Sequence, residues 1–115
     1  MVIKEKDMKK SERVAMRGGD KSVIFQEVVK PEYLLHSRLF STLTLVPGSS
    51  IGPHVHSGEI EYYYILEGEG IVSEKDGEKA VSAGDVVITG WNNSHAIRNS
   101  GTKDLKFLAV ILLEK

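Results

Sequence analysis

The chain has 115 residues, with 15 Lys and Arg against 16 Asp and Glu, for a net charge of -1 when the histidines are neutral. That balance argues against a nucleic-acid or membrane-surface role, since the Lys-rich stretch from Lys4 to Arg13 is interleaved with Glu5, Asp7 and Glu12. Cysteine is absent, which excludes disulfides, a thiolate nucleophile and thiolate metal ligands.

No apolar stretch approaches the length of a membrane span and the N-terminus carries no apolar signal segment, so a cytoplasmic protein is expected. A chain of this length predicts one domain over 1–115, with residues 1–16 as a solvated N-terminal arm.

Beyond the arm the pattern is one of short β-prone runs: 22–29, 38–46, 61–66, 70–74, 78–81, 85–89, 95–99 and 105–113. Turn residues separate them at close spacing, with Pro47 and Gly48, Glu67 and Gly68, Asp76 and Gly77, Ala83 and Gly84, and Ser100 and Gly101 at the reversals. Many short strands at such spacing predict an all-β sandwich or barrel. Convincing helical amphipathicity is absent, although 31–36 has room for one turn.

Three of the four histidines fall in two Gly-rich segments. His54 and His56 are separated by one residue, so on an extended chain both imidazoles point to the same face. Glu61 follows after a stretch containing Ser57 and Gly58, enough for a turn and a return on the neighbouring strand. His95 can complete the group from a distant strand. Imidazoles with one carboxylate suit a divalent transition metal such as Fe, Mn, Ni, Cu or Zn. Taken singly, each His would be an ordinary hydrogen-bonded residue and Glu61 a solvated strand-end carboxylate; the joint spacing is what argues for a metal site. His36 has no partner at ligand spacing and reads as structural or exposed.

These two segments resemble the paired motifs of the cupin superfamily. Gly48, His54, His56, Glu61 and Gly68 meet the first motif throughout. Gly84, His95 and Asn99 match the second, while Gly90 stands where the family has proline and Asn92 where it has glycine. Asn tolerates positive φ better than most residues, whereas glycine for proline loosens the loop before His95. The resemblance implies a double-stranded β-helix, or jelly-roll barrel, with His54, His56, Glu61 and His95 as metal ligands.

Side-chain parity then predicts the lining. Tyr63 and Ile65 share the face of Glu61, and Ile97 and Asn99 that of His95. On the run 38–46, either Leu39, Ser41, Leu43 and Leu45 or Arg38, Phe40, Thr42 and Thr44 face inward. Beyond the ligands, Tyr63 is the one titratable group that parity places inside, a candidate catalytic hydroxyl or simply a core aromatic. No Lys or Arg cradle for a phosphate is evident there. Trp91, four residues before His95, is a candidate wall of the pocket mouth together with Tyr63 and Ile97, or a residue packed on the barrel rim.

The run 105–113 is apolar on both faces, which predicts that something covers its outer face; a homodimer is expected. For function, the resemblance implies a metal-dependent enzyme acting on a small molecule that chelates through oxygens, with dioxygenase-type chemistry favoured by an apolar cavity. The alternatives are a non-catalytic small-molecule-binding or sensory protein and a metal-dependent isomerase or decarboxylase.

Overall fold

The computed structural model describes residues 1–114. Ten strands run in chain order: β1 (Lys10–Val14), β2 (Ser22–Glu27), β3 (Ser37–Leu45), β4 (Ser50–Val55), β5 (Glu59–Glu67), β6 (Glu69–Glu74), β7 (Gly77–Ser82), β8 (Val86–Gly90), β9 (Ser94–Asn99) and β10 (Leu105–Leu113). The only helical pieces among the described residues are 3-10 turns at Glu5–Asp7, Met16–Gly18 and Pro31–Tyr33. Every strand pairing is antiparallel. They form a six-stranded sheet ordered β1-β2-β3-β10-β5-β8 and a four-stranded sheet ordered β4-β9-β6-β7. This is the all-β, double-stranded β-helix architecture that the motifs imply.

The two sheets close on each other through period-two alternation. In β10, Leu105, Phe107, Ala109 and Ile111 are buried while Leu108, Val110 and Leu112 between them face outward. Val23 and Phe25 of β2, Leu43 and Leu45 of β3 and Ile65 of β5 meet Ile51 of β4, Val72 of β6 and Ile97 of β9. Burial of each such side chain contributes roughly 1.5–3 kcal/mol relative to exposure. The question left open for the run 38–46 is thus answered, since Ser41, Leu43 and Leu45 point into the core.

Two strands lie outside the eight runs expected from sequence. Lys10–Val14, within the stretch read as an arm, forms β1, and all five of its residues are exposed. It pairs with β2 along its backbone and lays Arg13 over the Phe25 ring, so no apolar alternation announces it. Ser50–Val55 forms β4 despite Gly52 and Pro53, which are tolerated because the strand bulges there. Ile51 pairs with Ile97 and His54 with His95, which leaves one extra residue on β4. The bulge resets parity, so that Ile51 and His54 both face inward although three positions apart.

A second bulge lies at the start of β3. Ile111 pairs with Leu39 and Leu112 with Ser37, which makes Arg38 the extra residue. Its side chain is thereby freed from strict alternation and aimed to the same side as Leu39, at the mouth of the barrel.

Candidate metal centre

His54 near the end of β4, His56 just beyond it, Glu61 on β5 and His95 on β9 each offer one ligand atom, and these four atoms lie within 4.8 Å of one another. His95 Nε2 is 2.9 Å from His54 Nε2, 3.1 Å from His56 Nε2 and 3.0 Å from Glu61 Oε1. His56 Nε2 is 2.9 Å and His54 Nε2 3.8 Å from the same carboxylate oxygen. All but His54 are buried, and His54 is half-buried.

The outward nitrogens define what the inward ones can do. His54 Nδ1–H donates to the Gly52 carbonyl at 2.8 Å, and His56 Nδ1–H donates to Glu59 Oε2 at 2.5 Å. His95 Nδ1 meets the Thr89 hydroxyl at 2.7 Å. A neutral imidazole whose Nδ1 carries the proton turns a bare Nε2 lone pair inward. Converging lone pairs beside a carboxylate repel one another unless a cation lies between them. The donor set, imidazole nitrogens with one carboxylate oxygen, fits a first-row divalent ion, and the outward hydrogen bonds are those that orient histidine ligands.

The charges follow the same geometry. Burial opposes ionisation of Glu61, but in the metal-free cluster the surrounding imidazoles of His54, His56 and His95, whenever they carry a proton on the inward nitrogen, outweigh it and hold the carboxyl well below its usual range. Burial likewise works against protonation of His56, yet hydrogen bonds to Glu61 and Glu59 leave it raised. For His95 burial prevails and lowers it. Glu59 is pulled down to about 2, chiefly by its paired hydrogen bonds with Arg38.

Beneath the cluster, Tyr63 stacks on the His95 ring at 4.8 Å and packs against Phe107 at 4.4 Å. Burial first, and then the Glu61 charge, raise its hydroxyl well above the ordinary tyrosine range, so it stays protonated. Tyr63 lines the cavity that leads to the cluster, a space of about 380 Å³. Ile97 is instead packed in the core, and Trp91 is 63 % exposed on the β8–β9 turn; neither is among the residues lining this cavity. Trp91 and Asn92 both adopt positive φ, Asn92 at the position where the family motif has glycine. The Asn99 amide caps the barrel, donating to the carbonyls of Leu45 and Lys103 at 2.8 Å each. His36 is exposed and outside the cluster.

The expectation that Tyr63 would be the one further titratable group inside requires correction, because Arg13, Arg17 and Arg38 also line the cavity. Arg38 gets there through the β3 bulge. Arg13 and Arg17 come from β1 and the turn after it, a segment without apolar alternation. In that turn Ala15 and Arg17 are both left-handed, with φ of 51° and 53°. The turn is pressed onto β4 where two glycines meet. A Cβ on Gly52 would stand 1.9 Å from the Arg17 carbonyl oxygen, and one on Gly19 2.2 Å from that of Ser50. Glu59 was also missed as a site residue, although it shares parity with Glu61 and so had a readable signal.

Comparison with known proteins agrees with this architecture. The Cupin domain family profile matches residues 41–111. An oxalate-binding protein of Thermotoga maritima is 41% identical over 114 residues, covering 98% of this chain and 94% of that protein. A crystal structure from Thermotoga maritima, described as a predicted oxalate decarboxylase, is also 41% identical and superposes with a TM-score of 0.93, covering 98% of this chain and 99% of that one. A polyketide cyclase from Streptomyces resistomycificus shares the fold alone, with 17% identity and a TM-score of 0.79 over 100% of this chain and 80% of that one. With the family profile spanning the barrel and the two histidine-bearing segments meeting at one point, the chain belongs to the cupin family.

Proposed function

We propose that this protein is a metal-dependent receptor for a small dianion that chelates through two oxygens, with oxalate as the type ligand. The observation that carries the proposal is the presence of Arg13, Arg17 and Arg38 in the same cavity as His54, His56 and Glu61. Arg38 is compensated by Glu59. Arg13 lies with its guanidinium 3.9 Å over the Phe25 ring, and neither it nor Arg17 has an ion pair among the described residues. A cavity so lined attracts an anion over a neutral catechol or flavonol, because a guanidinium binds a carboxylate through charge-assisted hydrogen bonds. The name of the 41%-identical relative, an oxalate-binding protein, supports the same ligand class. A divalent cation held by His54, His56, Glu61 and His95 supplies Lewis-acid attraction for the ligand's paired oxygens.

The residues do the rest. Arg13 and Arg17 draw the anion in, and the apolar Phe25, Leu39 and Leu43 exclude water around it. Tyr63 keeps its proton and offers no base, so the lining is furnished for capture rather than for proton transfer. Calorimetry on Mn(II)-loaded protein should show oxalate binding at least about tenfold tighter than catechol. Arg17→Gln should weaken oxalate roughly tenfold to a hundredfold, as for a hydrogen bond to a charged group, and leave catechol unchanged. Equal affinity for the two chelators in the wild type would overturn the anion assignment. Oxygen uptake in step with ligand loss on Fe(II)- or Mn(II)-loaded protein would instead support dioxygenase chemistry, and release of carbon dioxide without oxygen uptake a decarboxylase.

The same proposal includes a second copy of the chain on the outer face of the six-stranded sheet. Val86 and Ile88 of β8, Tyr64 and Leu66 of β5 and Leu112 of β10 are all at least 40% exposed there. Contiguous apolar surface of this kind marks an interface, and a patch carrying so few charges is complementary to itself, as a two-fold interface requires. Val110→Glu, on the outer face of β10, should convert a dimer to a monomer in light scattering. A wild-type monomer at micromolar concentration would dispose of the interface.

A further inference from the structure

We propose that Glu59 and Arg38 govern the metal affinity of the site, Glu59 as a positioning residue for His56 and Arg38 as the clamp on Glu59. The inference rests on the metal reading above and goes beyond it, since neither residue is among the four that converge. The geometry is a continuous chain of short polar contacts from the cavity mouth to the cluster. Arg38 Nε and a terminal guanidinium nitrogen donate to the two oxygens of Glu59 at 2.8 Å each, a paired fork that leaves the carboxylate no rotational freedom. Glu59 Oε2 then accepts from His56 Nδ1–H at 2.5 Å. The opposite nitrogen of that ring, Nε2, is the one that meets Glu61 and His95.

Each link removes a degree of freedom that a ligand would otherwise lose on binding. Without an acceptor at Nδ1, the His56 ring can carry its proton on Nε2, which cannot then bind a cation, or rotate away from the cluster. His54 gets the same service from the Gly52 carbonyl and His95 from Thr89. His56 alone has a charged partner, and that partner is itself fixed. The burial is graded to match: the His56 side chain is 3% exposed, Glu59 11% and Arg38 49%. Arg38 reaches this post only because it is the extra residue of the β3 bulge.

The test is competition for Mn(II) and Zn(II) against a chelator of known affinity, together with the melting temperature of the metal-free protein and nitrogen-15 shifts of the His56 ring at alkaline pH. Glu59→Ala should lose roughly tenfold to a hundredfold in metal affinity, the range found when partners of metal-binding histidines are removed. In that variant the His56 ring should shift from a single Nδ1-protonated tautomer to a mixture. Glu59→Gln, which still presents an oxygen to Nδ1–H, should recover a large part of the loss. Arg38→Met, at a half-exposed position, should weaken metal binding by several fold while the metal-free melting temperature stays close to wild type. Metal affinity within twofold of wild type in Glu59→Ala, or in Arg38→Met should Glu59→Ala not fold, with an unchanged His56 tautomer, would overturn the proposal. A wild-type protein that binds neither ion would bring down the metal reading itself, a result distinct from equal binding by wild type and variants.

Discussion

Alanine at His56 should abolish stoichiometric binding of a divalent metal. The residue is 2 % exposed and its Nε2 lies 2.9 Å from Glu61 and 3.1 Å from His95, so its removal leaves a gap beside the remaining donors. In the wild type, free metal at a hundredfold excess over its dissociation constant adds about 2.7 kcal/mol of stability, and for a domain of this size that raises the melting temperature on the order of 10 °C. The variant should show neither the occupancy nor the rise, whereas His36→Ala, at an exposed position outside the cluster, should show both. Metal analysis finding full occupancy in the His56 variant and loss in the His36 variant would refute the ligand set. The pH dependence has a definite sign. Ligation needs neutral imidazoles, and in the metal-free protein the His56 pKa is raised, because its hydrogen bonds to Glu61 and Glu59 outweigh the opposing effect of burial. Protons therefore compete with the ion from a higher pH than at an ordinary histidine, and occupancy falls as pH drops through that range.

Phe107→Ala should cost about 3–5 kcal/mol, the usual range for deleting a buried phenylalanine and a large part of the stability of a small domain. Phe107 has no exposed surface, and it supports Tyr63 at 4.4 Å, which in turn stacks on His95 at 4.8 Å. The cavity left behind opens directly under the third histidine. The loss should thus appear twice, as a lower denaturation midpoint and as weaker metal binding in whatever fraction remains folded. Leu45→Ala, equally buried but not in contact with the Tyr63 stack by ring packing, provides the comparison: a similar loss of stability with metal affinity retained. If both variants lose metal affinity alike, the stack has no specific role in holding His95.

The parts of the site that lay on regular strands were legible, and the parts that depended on irregular backbone were not. His54 and His56 alternate with Val55, and Glu61 and Tyr63 with Tyr62, so a two-residue period turns them toward the point where the cluster forms. Spacing from the flanking glycines did the same for His95. Parity fails wherever one extra residue enters a strand, and both bulges near the site show it: Arg38 on β3, and the Gly52 and Pro53 pair on β4. Arg13 and Arg17 were hidden for a different reason. They stand in a segment whose strand residues are solvent-exposed and whose turn is seated by Met16 and by close backbone contact at Gly19 and Gly52, and such contact leaves little hydrophobic trace in the sequence. Their presence is what the proposed preference for anions rests on. Placements of Trp91 on an exposed turn and Ile97 in the core likewise depend on where the β8–β9 loop closes, which alternation within a strand cannot tell.

The four converging side chains do not come from one sheet. His54 and His95 belong to strands of the four-stranded sheet and His56 directly follows the first of them, while Glu61 belongs to the six-stranded one. An ion held by all of them is a rivet through the sandwich, and its release is mechanically the same event as the parting of the two layers at that end. Amide hydrogens of β4 and β5 flanking the site should then exchange in concert, slowly when the rivet is in place and faster when a chelator has drawn it out.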